Sequence, residues 1–183
     1  TVELQQPITD ALALEGISMI AENLEKAYEN GEDREARRNM MIASTIGGME
    51  FISSNVGAVH AFAETVGAWF DTPHGVANSL FLPYIMEFNI PACPERFADI
   101  ADAMGIEREE SMSDEQYALK AVEYVKALNR KLNIPTIKEI KGITEERFEA
   151  IAERSANNVL SNDNARKITK EDYLELLKKA YNE

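Results

Sequence analysis

The stretch VHAFAETVGAWFDTPHG, Val59 to Gly75, holds both histidines of the 183-residue chain, His60 and His74. Neutral imidazole is a good donor to zinc or ferrous iron. Fourteen positions separate the two, and a helix–turn–helix hairpin of that span can bring both rings to one depth. A catalytic metal takes three or more protein donors and keeps an open position. Spacing alone therefore leaves two readings open: part of a metal site, or a buried, hydrogen-bonded His60 with an exposed His74 at a helix start. Glu64 follows His60 by four residues on the same helical face. It is a further ligand, a partner of an imidazole, an acid–base group or a plain polar contact. If the pair binds a metal through bonds of ~2.1 Å, the nearest ring nitrogens should lie within about 7 Å, with Glu64 bordering the same cavity.

The elements that must position these residues read as helices. Ile8, Leu12, Ile17, Ile20, Leu24 and Tyr28 share a face, and Asn30-Gly31 ends that helix. A second helix starts near Asp33, with Gly47-Gly48 in its apolar half, where another backbone could approach closely. Val56 to Phe70 is apolar nearly all round, which predicts a central buried helix. Asp71 reads as a helix-start residue, Thr72 as a cap and Pro73 as a first position. The helix that follows should kink at Pro83. Ser113 with Gln116 forms a capping box, and Thr144 and Thr169 each cap a later helix. Phe51, Trp69, Phe70, Met40, Met41 and Met49 read as core. The fold class is all-α, a bundle of roughly seven or eight helices in a single domain over 1–183.

Composition excludes several functions. There are 19 basic against 32 acidic side chains, a net charge of −13. That surface repels nucleic acid and anionic membranes, and no apolar run reaches the ~18 residues of a membrane span. The lone Cys93 cannot make an internal disulfide, which points to a reducing, cytoplasmic location. There is no G-x-G-x-x-G, P-loop, H-E-x-x-H, C-x-x-C or G-x-S-x-G. Thr1 in first place fits either removal of an initiator Met or a piece of a longer chain.

GAVHAFAETVGAWFDTPHGVANSLFLPYIMEFN, Gly57 to Asn89, closely resembles the iron-dependent alcohol dehydrogenase family, metal-activated NAD(P) enzymes with a dehydroquinate synthase-like fold. The tail NDNARKITKEDYLELLKKAY resembles that family's N-P-R…T-x-E-D…L ending, with Ala165 in place of proline. The likeness covers essentially the whole chain but only the family's C-terminal helical domain. It implies His60 and His74 as metal ligands and Phe51 as a lining residue of the substrate pocket. Glu64 stands where many members carry a second histidine near the nicotinamide and substrate, so it is the candidate catalytic residue. The remaining family ligands are the Asp and His of a D-A-x-x-H segment, expected upstream of Thr1. Asp10 has no such His after it.

The resemblance implies Fe(2+), with Zn(2+) as the other metal, and NAD(P) held by an N-terminal nucleotide-binding domain that this chain lacks. The activity implied is hydride transfer between a small alcohol or aldehyde and NAD(P) in the longer parent, with the isolated chain inactive. Apolar surface should be exposed where that domain docks, and a homodimer is one outcome. The alternative function is a freestanding, non-catalytic helical binding or scaffold module derived from that family. Coding sequence upstream of Thr1 separates the two.

Overall fold

The computed structural model describes residues 6–183, and Thr1 lies outside them. Among the described residues eight α-helices follow one another: α1 (Pro7–Glu29), α2 (Arg34–Ser54), α3 (Ala58–Phe70), α4 (His74–Asn89), α5 (Pro94–Ala103), α6 (Asp114–Lys131), α7 (Phe148–Ala156) and α8 (Lys170–Asn182). No β-strand occurs among the described residues.

Helix starts follow the local chemistry. Asp33 accepts hydrogen bonds from the backbone N–H groups of Glu35 and Ala36 at the head of α2. Ser113 and Gln116 form the expected reciprocal box on α6, and Thr169 with Asp172 does the same on α8. Thr144 precedes a short 3-10 turn, Glu145–Arg147, that leads into α7.

Helix α3 is the centre. Ala58, Ala61, Phe62 and Val66 are fully buried; α3 packs against α4 and α7, and Tyr173 and Leu177 of α8 join the same apolar cluster. Phe62 stacks on Phe81 at 4.1 Å and meets the Tyr173 ring edge-on at 4.6 Å. A second apolar cluster joins the end of α4 to α5 and α6 through Ile90, Phe97, Tyr117 and Val122. Helix α4 runs on through Pro83. Proline has no N–H, so the Ser79 carbonyl four residues earlier loses its helical donor; the Asn129 amide of α6 donates to it instead, at 2.7 Å.

The α1–α2 hairpin departs from expectation. Met41, Met49 and Phe51 are 71%, 56% and 50% exposed rather than core. Ile8 and Tyr28 of α1 are exposed as well. The hairpin closes instead on Thr9, Gly16 and Asn23 of α1 against Ala36 and Ala43 of α2. Small residues every seven positions let two helices approach closely. The close approach falls at Gly16, whose Cβ position meets Ile46 and the Ala43 carbonyl; no atom of another element lies within 4 Å of the Gly47 or Gly48 positions.

Candidate metal centre

Three features bring His60 and His74 together. The first turn of α3, which carries His60, is fixed by Asn164: its Oδ1 accepts the Ala58 N–H at 3.3 Å. Asn164 is buried and exchanges amide hydrogen bonds with Asn89 at the end of α4, at 3.1 and 2.7 Å. The same asparagine thus ties both histidine-bearing helices to the C-terminal segment. At the other end of α3 the chain turns at Asp71, in the left-handed conformation at φ 51°, so Asp71 is a helix C-cap rather than a helix start. The return segment then lies against α3, and a Cβ at Gly67 would sit 3.3 Å from the Thr72 carbonyl oxygen. A glycine there admits the close backbone approach that sets where α4 begins.

Helix α4 begins at His74 itself, with Pro73 at the cap and no side-chain cap. Thr72 therefore does not cap: its hydroxyl is buried without a hydrogen-bond partner. Pro73 fixes an extended approach.

The two imidazole centroids are 5.3 Å apart, with ring planes inclined at 48°. His60 is partly buried and His74 exposed. Burial is the main cause that holds His60 below the usual histidine pKa; nearby His74 adds to it and Glu64 opposes it. The lowering favours the neutral ring, the form that ligates metals. Asn78, one turn after His74, places its Nδ2 3.0 Å from His74 Nε2.

Glu64 lies on the exposed side of α3, and its carboxylate accepts a hydrogen bond from the Asn158 amide at 2.7 Å. It is within electrostatic reach of His60, but a different set of residues lines the cavity beside His60. That cavity, about 600 Å³, runs between α1, α4 and α5. Its walls include Leu14, Ile17, Leu82, Met86 and Phe97, with His60 and Asn78 at one end. Asp10 also faces it, locked to Arg96 by a two-pronged ion pair at 3.0 and 2.5 Å, and so is committed to holding α1 on α5. Phe51 stands exposed near the end of α2 and does not line the cavity. Cys93 is buried at the head of α5. Among the described residues no group of three or more His, Cys, Asp or Glu could hold a metal ion. The sequence reading passed over Gly67, Asn78 and Asn164. The signal for Asn78 was its place four residues after a candidate ligand; that for Asn164 was its place just before Ala165, at the head of the N-P-R-like tail.

Two imidazoles thus approach each other from adjoining helices of an all-α bundle, with His60 at the edge of an apolar cavity. Residues 3–181 match the C-terminal part of the Fe-containing alcohol dehydrogenase family, and the chain belongs to that family. It is 37% identical over 175 residues to 1,3-propanediol dehydrogenase of Citrobacter freundii, covering 96% of this chain and 45% of that protein. Alcohol dehydrogenase 4 of Saccharomyces cerevisiae (strain ATCC 204508 / S288c) is 39% identical over 178 residues, covering 96% and 44%. The solved alcohol dehydrogenase from Oenococcus oeni has the same fold, with a TM-score of 0.93 at 38% identity over 98% of this chain and 47% of its own. The chain thus spans under half the length of these relatives. No helix among the described residues is long and apolar enough to cross a membrane.

Proposed function

We propose that this chain is a single metal-binding helical domain, serving an alcohol dehydrogenase-like oxidoreductase in which His60 and His74 supply two of a metal's ligands. The observation that carries the reading is the convergence of the only two histidines to 5.3 Å. The donors fit a divalent metal, Fe(2+) or Zn(2+), in chemistry and in placement: two imidazoles from packed helices. When bound, such a metal polarises an alcohol or carbonyl oxygen as a Lewis acid.

The chain's own residues prepare that site. Asn164 and Gly67 set the positions of the two ring-bearing helix starts. The apolar wall beside His60 excludes water and accepts the carbon body of a small alcohol or aldehyde. Glu64 contributes negative charge near His60 and is the candidate acid–base group, with Phe51 a candidate wall of the substrate pocket once further polypeptide covers α2. The relatives carry more than half their length outside the matched region. In this reading the covering part is a nucleotide-binding domain that holds NAD(P), since hydride exchange needs a held nicotinamide. It seats on the outward Met41, Met49, Phe51 and Ile52 and brings the remaining ligands. The acidic chain works in the cytoplasm, and where that apolar face is left uncovered, as in the isolated chain, self-association through it gives a homodimer.

The test is metal and activity together. Zn(2+) titrated into the chain should bind weakly, and His60→Ala or His74→Ala should abolish the binding. In the parent enzyme His74→Ala should lower metal content and activity in step. The isolated chain should not reduce an aldehyde with NADH; turnover at an ordinary enzyme rate would refute the division of labour. Metal content unchanged in both histidine variants would sink the ligand assignment.

A further inference from the structure

Asn78 spends its amide nitrogen twice on His74. Nδ2 lies 3.0 Å from the His74 backbone carbonyl oxygen and 3.0 Å from the ring Nε2. An amide nitrogen brings two hydrogens and no acceptor site. Both contacts are therefore donations, and His74 Nε2 is the acceptor, which puts the ring proton on Nδ1. The reversed amide would set its oxygen against the carbonyl oxygen, two acceptors face to face. As placed, Asn78 Oδ1 is buried and has no partner. Asn78 also stands in the wall of the cavity that His60 lines.

We infer that Asn78 is an internal competitor for the His74 Nε2 lone pair. It holds the ring in the Nδ1–H tautomer, with the ring centroid 5.3 Å from that of His60. A neutral ring nitrogen has one lone pair, and a metal must approach along the direction the amide hydrogen now occupies. Capture of a divalent cation at Nε2 therefore requires the Asn78 amide to turn away. The same turn moves Oδ1 out of its unpartnered position. The inference rests on the reading of His60 and His74 as ligands, and it makes Asn78 a positioning residue that lowers metal affinity in exchange for a preset ring.

With two histidines in the chain, a long-range proton–nitrogen spectrum contains two ring systems. The unaltered protein should show His74 protonated at Nδ1, with Nε2 shifted as an acceptor. Asn78→Leu should lose that shift. In calorimetric titration with Zn(2+), Asn78→Ala and Asn78→Leu should bind roughly two- to tenfold more tightly than the unaltered chain, the range of one net hydrogen bond. A His74 protonated at Nε2 in the unaltered chain overturns the inference even if no variant folds. So does unchanged or weaker binding in both Asn78 variants. If His60→Ala and His74→Ala abolish binding while the Asn78 variants do not tighten it, the competitor role alone falls. If the histidine variants leave binding unchanged, the ligand reading falls and the competitor role with it.

Discussion

Between α1 and α2 the buried positions are Thr9, Gly16, Asn23, Ala36 and Ala43; between α3, α4, α7 and α8 they include Phe62, Phe81, Ile151, Tyr173 and Leu177. The first set lets helices come close but removes little apolar area from water. The second removes a great deal, at about 25 cal/mol per Å². The hairpin is also tied by polar links: Asn39 donates to Asn23 across its seam at 3.0 Å, Arg96 holds Asp10, and Lys131 pairs with Glu25 and Glu29. Ile8, Tyr28, Met41, Ile42, Met49, Phe51 and Ile52 stand exposed on it. Both histidines ride on the bundle, so their geometry is set by the self-sufficient part of the molecule. Under the proposed function, the hairpin's exposed apolar face is where further polypeptide seats.

The largest effect that could break this contrast lies in the bundle. Phe62→Ala should cost about 3–5 kcal/mol in urea denaturation, because a fully buried ring between Phe81 and Tyr173 leaves a cavity. A loss below 1 kcal/mol would mean the two regions are stabilised alike. Next come two glycines that test backbone approach in opposite directions. Gly67→Ala should cost roughly 1–2 kcal/mol despite the better helix propensity, since its Cβ meets the Thr72 carbonyl at 3.3 Å. It should also weaken Zn(2+) uptake by shifting His74. Gly16→Ala should stabilise by about 0.5–1 kcal/mol, because its Cβ finds only ordinary contacts, at 3.5 and 3.9 Å. Equal signs for the two would refute the packing distinction. Smaller still, Met41→Gln and Phe51→Gln should each change stability by less than about 0.5 kcal/mol in this chain, while Phe51→Gln should impair the parent enzyme, where the ring is covered.

The smallest effect is a pH dependence. The Glu139 carboxyl is held below the usual carboxylate range by the Thr136 backbone N–H first and the Thr136 hydroxyl second. A folded-state pKa below the unfolded one gives stability that is present above the unfolded value and lost as pH falls through the folded value. An NMR titration should place the Glu139 midpoint below 4.5, and Thr136→Val should move it upward. A midpoint at or above 4.5 would remove this capping box from the account.

Much of the fold was legible because its signals are local. A cap and its partner sit three residues apart, as Ser113 with Gln116 and Thr169 with Asp172, so α6 and α8 could be placed from sequence. The all-round apolar run marked α3 as central, and the spacing of His60 and His74 raised the site. Tertiary structure decided the rest. Periodicity records that a helix has an apolar face but not what lies against it, so Met41, Met49 and Phe51 read as core and stand exposed. The cap expected of Thr72 failed because α4 starts one residue later than expected, at His74 with Pro73 in the cap position. Asn164 reaches Ala58 across 106 positions and Asp10 reaches Arg96 across 86, and such pairings exist only after packing has brought distant segments together. The histidines were given by the sequence; their meeting at 5.3 Å follows from the buried contacts that fix where each helix begins.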